Sequence, residues 1–252
     1  MQNAAIAALG LDAVYVARHA TKETFETTAR GVLAAGGGIN VTVPFKRQAA
    51  ALLRVASEAV RRTGACNTVW GDAASPEGDN TDITGVREAA RAVMGTLPVR
   101  RVLLIGTGGS ARAAAVAVAD GWPGVTVGIV SRDEGRAREF VAWAQQAGVG
   151  CRVWGVGGDE PDLLINATPV GLETGDPLPV ARETLARLAG VLDLVYARGE
   201  TALVRAAREA GARAADGRGV LVAQGAAAFA RFFGVSAPTA TMRAAVEDAL
   251  RP

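Results

Sequence analysis

Apolar and polar positions alternate in two different styles along the chain. In the first third the apolar runs are short. Residues 13–17, 38–43 and 65–70 are rich in β-branched side chains and predict strands. Residues 4–9, 22–35 and 46–62 have helical spacing, and residues 72–82 form a polar loop. From residue 101 the style changes. Arg101-Val-Leu-Leu-Ile-Gly106 is a continuous apolar strand that runs into glycines, and residues 110–119 continue as helix. Residues 125–130 and 136–147 repeat the alternation, and residues 163–167 and 191–196 add strands. Continuous apolar strands with helices between them predict a parallel sheet covered on both faces. The chain returns to helix over 220–233 and 239–250.

The change of style falls near Thr96-Leu97-Pro98. It divides an α/β chain into two domains, with the boundary on a helix over 83–95. Residues 1–83 and 225–252 make a first domain, the last helices folding back onto it. Residues 84–224 make the second.

Composition narrows the function classes. The 252 residues are 50% hydrophobic and 21% charged, enough apolar material for packed cores. A net charge of +2 argues against binding nucleic acid or an anionic membrane through bulk charge. Two cysteines, Cys66 and Cys151, do not make a disulfide framework and fit a reducing compartment. The single histidine, His19, removes any multi-histidine metal site, so no metal is expected. No apolar run approaches the roughly 18–20 residues of a membrane span, and no signal-peptide pattern opens the chain. A cytoplasmic protein with a small-molecule partner, as monomer or homodimer, is expected. Only two lysines, Lys22 and Lys46, occur in a chain that otherwise uses arginine. Each therefore merits attention.

The first chemical signal is Gly106-Thr107-Gly108-Gly109-Ser110-Ala111, between a strand and a helix. Glycines there let the backbone approach a pyrophosphate, and the helix N-terminus offers N–H donors. The second domain is thereby expected to be a Rossmann-type doubly wound parallel sheet. The bland alternative is a glycine turn without ligand. The next strand ends in Ser131-Arg132-Asp133-Glu134-Gly135-Arg136. An acid at this point usually holds the ribose 2′-OH of NAD, and arginine accommodates the 2′-phosphate of NADP. Arg132 and Arg136 favour NADP. Asp133 leaves NAD open, or simply opens the helix. If Asp133 faces the phosphate, threonine in its place shifts preference toward NADPH.

The second constellation is Asn40-Val-Thr42-Val-Pro44-Phe-Lys46, then Gly64-Ala-Cys-Asn67-Thr68, then Gly78-Asp-Asn80-Thr81-Asp82. Amides and hydroxyls there suit a polyhydroxylated small molecule, and a Lys/Asp pair can move a proton. Singly, Lys46 reads as a surface lysine, Asp82 as a helix cap and Asn67 as a turn residue.

Together with Asn166-Ala-Thr168-Pro169-Val-Gly171, Asp193-Leu-Val-Tyr196 and Gly217-x-Gly219-x-Leu221-x-Ala-Gln224, these motifs resemble the shikimate dehydrogenase family in order and approximate spacing. The resemblance implies NADP-dependent reduction of 3-dehydroshikimate to shikimate in aromatic amino acid (chorismate) biosynthesis. It implies Lys46 and Asp82 as the catalytic pair, with Thr42, Asn67, Asp82, Tyr196 and Gln224 reading the substrate. It implies Gly106, Thr107, Gly108, Gly109, Ser110, Ser131, Arg132, Arg136, Thr168, Leu194 and Gly217 around the cofactor. Departures are Gln2 at a usual histidine, Ser131-Arg132-Asp133 for Asn-Arg-Thr, Arg198 for a usual proline and Val220 for a common methionine. The family's N-terminal strand and its Ser-x-Ser-Pro segment have no counterpart. The chain is therefore expected to lack about 20 residues of the functional protein, to be less stable without them, and to bind the substrate carboxylate poorly. An NAD-dependent quinate/shikimate dehydrogenase and a non-catalytic binding relative are the alternatives. The retained Lys46 and Asp82 speak against the binder.

Overall fold

The computed structural model describes residues 1–155, 160–173 and 175–251. The first part of the chain runs α1 (Gln2–Ala8), α2 (Phe25–Ala34), β1 (Ile39–Asn40), α3 (Lys46–Leu52), β2 (Val55–Ala56), α4 (Glu58–Thr63), β3 (Thr68–Asp72) and β4 (Ser75–Asp79). The four strands form one mixed sheet in the order β1-β3-β4-β2. Next come α5 (Asp82–Met94), β5 (Arg101–Ile105), α6 (Gly109–Gly121), β6 (Thr126–Val130), α7 (Glu134–Gln146), β7 (Cys151–Val153) and β8 (Leu163–Asn166). Then follow α8 (Arg182–Leu185), β9 (Gly190–Asp193), α9 (Ala202–Glu209), β10 (Arg213–Ala215), α10 (Arg218–Phe233) and α11 (Thr239–Ala249).

The six later strands form one sheet in the order β10-β9-β8-β5-β6-β7, parallel at every pairing. This is the doubly wound order, with the crossover reversing between β5 and β8. Its strands are apolar throughout because helices cover both faces. On one face the alanines and valines of α6 lie against Val102, Leu104 and Ile129. On the other, Leu103, Ile105, Leu164 and Val191 meet α8 and α9. The molecule is thus a two-domain α/β protein with a mixed N-terminal sheet and a Rossmann-like parallel sheet.

Four sequence expectations are corrected in the first part. The helix expected over 46–62 is two helices separated by β2. Leu53 turns to extended backbone, and the Ser57 hydroxyl accepts from Val60 N–H and starts α4 afresh. Residues 72–82 are not one loop, because β4 pairs in antiparallel register with β3 through a tight turn at Ala73-Ala74. The apolar run over 38–43 contributes only the two residues of β1. Residues 13–17 form no strand. The Asn3 side-chain amide satisfies the Tyr15 backbone on both sides, accepting from its N–H and donating to its carbonyl. Val14 and Val16 are left 74% and 61% exposed. Between this segment and β1 lies a groove of about 670 Å³, whose walls include Val14, Val16, Phe25, Ile39, Phe232 and Phe233. Neither edge of that groove has a strand neighbour across it, so the periodicity that predicts a strand finds nothing to pair with.

α10 connects the two halves of the molecule. It packs along α5, and a side chain at Gly85 would strike Val220 O at 2.7 Å. At its far end Arg231 lies over the Trp70 ring and pairs with Asp79. Phe229 and Val222 join Ile6 of α1 and Met242 and Val246 of α11 in a separate apolar cluster. Among the described residues no helix is long and apolar enough to cross a membrane.

Candidate functional site

Lys46 opens α3 and Asp82 opens α5, so two helix starts bring them together. Lys46 Nζ donates to Asp82 Oδ2 at 2.5 Å, and Asn67 Nδ2 donates to Asp82 Oδ1 at 2.8 Å. The Lys46 and Asp82 side chains keep only 18% and 17% of their exposure, which strengthens the pair while leaving the ammonium reachable. Asn67 is buried at the entry to β3, and its Oδ1 accepts from Thr81 N–H, Thr81 Oγ1 and Thr68 Oγ1. Its orientation is therefore over-determined: the amide can only turn its NH₂ toward Asp82. Asn40 extends the network by donating to Thr68 Oγ1 at 3.1 Å, and its own Oδ1 accepts from the Tyr15 hydroxyl. Desolvation by burial raises the Tyr15 hydroxyl above its ordinary value. Burial also pushes the neighbouring Cys66 thiol up to about 11, so at neutral pH it is an inert packing group.

Thr42 is exposed on the turn before α3 and lines the groove already described. Gln224 sits on α10, its Cβ 3.0 Å from the place a side chain on Gly85 would take, one turn beyond Asp82. Its Nε2 donates to Leu221 O. The structure therefore gathers Lys46, Asp82 and Asn67 directly and sets Gln224 on the helix packed beside them.

The glycine segment leaves β5 at the point where the strand order reverses. Gly106 has φ +105°, and a Cβ on it would meet Thr168 Cγ2 at 2.9 Å and Ala167 O at 3.0 Å, so the β5 and β8 loops touch through it. Around Gly108 and Gly109, by contrast, a Cβ would meet nothing within 4 Å. The N-terminus of α6, a helix of 13 residues, has no side-chain cap and opens into that space. Free N–H groups, a helix dipole and an open glycine cradle fit a dinucleotide diphosphate.

Ser131, Arg132 and Arg136 follow β6. Asp133 is the N-cap of α7: its Oδ1 accepts from Arg136 N–H at 3.1 Å. Its carboxylate is engaged by its own helix, while Arg132 and Arg136 stay exposed. Leu194 and Tyr196 leave the end of β9, and Gly217 caps α10 against them. A side chain there would collide with Leu194 O at 2.4 Å and with the Tyr196 ring at 3.1 Å. Gly217 and Gln224 are seven residues apart on one helix, about 10 Å at 1.5 Å per residue. α10 therefore touches both the β9 loop and the surroundings of Asp82.

Two residues beneath these loops carry weight that sequence reasoning did not assign. Asp193, fully buried, accepts from Asn166 Nδ2 and Val195 N–H through Oδ1 and from Thr201 Oγ1 through Oδ2. Asn166 Oδ1 in turn accepts from Thr168 N–H and Oγ1. This network ties the β8 loop to the β9 loop. Burial raises the Asp193 carboxyl above its ordinary value, while the hydrogen bonds from Thr201, Asn166 and Val195 oppose the shift. A polar residue ending each of two adjacent apolar strands was the available signal.

A parallel sheet with a glycine cradle at its switch point, beside an ion-paired Lys/Asp/Asn cluster, defines a two-domain nucleotide-dependent dehydrogenase class. Comparison with known proteins gives the particular family. Residues 1–69 match the shikimate dehydrogenase substrate binding domain, and residues 217–247 match the shikimate 5′-dehydrogenase C-terminal domain. A shikimate dehydrogenase (NADP(+)) of Halobacterium salinarum is 40% identical over 96% of this chain and 90% of its own length. The Thermus thermophilus shikimate 5-dehydrogenase in complex with NADP(H) and shikimate superposes with TM-score 0.87 at 33% identity, covering 99% of this chain and 93% of that one. Quinate dehydrogenase from Corynebacterium glutamicum in complex with NAD superposes with TM-score 0.84 at 29% identity, covering 96% and 90%. The chain belongs to the shikimate dehydrogenase family.

Proposed function

We propose that the protein interconverts 3-dehydroshikimate and shikimate with NADP(H). The observation that carries this reading is the Lys46–Asp82–Asn67 cluster, a held ammonium and carboxylate flanked by amides and hydroxyls. In this reading residues 1–83 and 225–252 hold the acid, and residues 84–224 hold the cofactor. The bound nicotinamide supplies the hydride. Gly108, Gly109 and the N-terminus of α6 would hold its diphosphate, with Arg132 and Arg136 facing the adenosine phosphate. Thr168, Leu194 and Gly217 would line the nicotinamide end.

Lys46 does the proton work. As the keto oxygen gains charge, the ammonium donates a hydrogen bond and then the proton, and in reverse the neutral amine takes it back. Asp82 holds Nζ through Oδ2, and Asn67 holds Asp82 through Oδ1, so the donor is aimed before substrate arrives. Arginine in place of Lys46 would keep the charge and lose the proton transfer, because it does not deprotonate in this range. Thr42, Asn67, Asp82, Tyr196 and Gln224 would read the substrate.

NADP is preferred over NAD in this reading because the Asp133 carboxylate caps its own helix and lies 3.9 Å from Arg136, while the exposed Arg132 stands beside it to meet a phosphate. The test is absorbance at the nicotinamide band, with shikimate or quinate and each oxidised cofactor. Turnover fastest with shikimate and NADP supports the reading. Faster turnover with quinate and NAD replaces it, and binding without turnover ends it.

A further inference from the structure

Besides α10, and away from the reacting groups, α4 fastens the four-stranded part to the nucleotide-binding part, and its polar contacts centre on one residue, Arg62. Beyond its own helix Arg62 makes three hydrogen bonds, to partners on α6 and at the end of α7. Its Nη1 donates to Asp120 Oδ1 at 2.8 Å, in the last turn of α6. Its Nε donates to Ala147 O at 3.1 Å, at the end of α7. Its own carbonyl accepts from the Trp143 indole N–H at 3.1 Å. The Trp143 ring is fixed in turn by an edge contact with Phe140, 5.0 Å between centroids, and by the Arg112 guanidinium 4.9 Å above it.

We propose that Arg62 is a positioning residue for the dehydrogenase reaction, setting the separation between the Lys46–Asp82 pair and the glycine cradle. The inference rests on the reading of those two sites given above. Two features connect the junction to both. The next residue, Thr63, is buried and accepts from Asn80 Nδ2 at 3.0 Å, and Asn80 lies two residues before Asp82. The chain then runs from Thr63 through Gly64 to Asn67, which holds Asp82. On the other side, Arg112 stands in the first turns of α6, directly behind Gly108 and Gly109. A shift of α4 against α6 therefore moves the proton donor relative to the cofactor cradle. Beside the junction a cavity of about 400 Å³, lined by Glu58, Arg61, Gly64, Arg112 and Gln146 among others, leaves room for such a shift. Guanidinium geometry suits the role, since one planar fork reaches a carboxylate and a carbonyl together, which an ammonium does not.

The test compares wild type with Arg62→Ala, Arg62→Lys and Trp143→Phe. Misplacement of reacting groups lowers kcat while each ligand, binding mainly to its own domain, keeps its affinity. Arg62→Ala should lose about 10-fold in kcat. The dissociation constants of NADPH alone and shikimate alone should stay within about twofold, and the primary deuterium isotope effect should rise as hydride transfer becomes slower. Arg62→Lys and Trp143→Phe, each keeping part of the junction, should fall between wild type and Arg62→Ala. Unchanged kcat with a lowered melting temperature would make the junction merely structural and overturn the proposal. So would a loss confined to binary affinity. Spin labels at Val55→Cys and Arg138→Cys, with Cys151→Ala in the background, report the domain separation without any turnover. Arg62→Ala should shift or broaden that distance, and an unchanged distance overturns the proposal. Wild type that turns over no nicotinamide substrate, with a distance that still responds to Arg62→Ala, would instead count against the catalytic reading alone.

Discussion

Every residue of β8 and β9 is buried, whereas β1 and β2 are two residues long and neither is fully buried. The two sheets hold together by different means. The six-stranded sheet is closed by apolar side chains on both faces, with alanines on α6 admitting a close helix. The four-stranded sheet has a small apolar cluster and a net of buried Asn67, Thr68 and Thr81 joined by the half-buried Asn40. Non-directional packing makes a stable platform. Directional hydrogen bonds aim particular atoms, at the cost of needing every partner present. The difference teaches that the Lys46–Asp82–Asn67 cluster, proposed to move the proton, stands on the more polar, less regular half, and the glycine segment, proposed to hold the cofactor, stands on the drier one.

Several variants would break or sharpen that contrast. Lys46→Ala is expected to lose about 10²–10⁴-fold in kcat with a smaller change in KM, because the ammonium acts as charge develops. Its thermal melting should stay close to wild type; near-normal turnover would remove Lys46 from the chemistry. Leu164→Ala, in the centre of the parallel sheet, should cost about 2–5 kcal/mol in denaturant unfolding. Val55→Ala, on a side chain 52% exposed in the other sheet, should stay within about 0.5 kcal/mol. Similar losses at the two positions would erase the distinction between the sheets.

Asp193→Ala strands three donors and should cost on the order of 3 kcal/mol. Asp193→Asn keeps an oxygen for Asn166 and Val195 and can donate to the Thr201 hydroxyl, so it should cost far less. Burial raises the folded-state carboxyl above its ordinary value. The folded state therefore binds the proton more tightly, and this group's contribution to stability is full at low pH and is lost as pH rises through the raised value. Asp193→Asn should consequently gain on wild type as pH climbs through the acid range. A difference that stays flat with pH, followed by chemical denaturation, would show that Asp193 ionises as freely folded as unfolded.

Asp133→Thr should have the smallest effect. Threonine also caps helices, and the carboxylate it replaces faces α7. The NADPH/NADH ratio of kcat/KM should move by less than about threefold, against the larger shift expected had the carboxylate faced a phosphate. A tenfold swing toward NADPH would put Asp133 in the cofactor site.

The legibility of the two halves followed their physics. Strands buried on both faces are continuous apolar runs, so β5, β6 and β8 could be read within a residue from the apolar pattern, while the run expected over 191–196 overshoots β9, which ends at Asp193. The glycines behind β5 and the Lys/Asp/Asn motifs were equally plain, because close backbone approach and proton chemistry each admit few residue types. In the first part, 46–62 kept helical spacing through β2, and only the Ser57 cap and pairing with β4 decided otherwise. Residues 72–82 looked like loop because β4 is Ser-Pro-Glu-Gly-Asp, a strand by its pairing rather than its side chains.

The sequence by itself determined which residues could do chemistry and that a doubly wound sheet would carry half of them. Local spacing and residue type are sufficient for that. Only the tertiary structure decided that Asp82 is shared between Lys46 and Asn67, that Asp133 caps a helix, that Asp193 ties two loops, and that Arg62 fastens α4 to α6 and α7. Each of those depends on atoms distant along the chain, whose meeting is set by how whole elements pack.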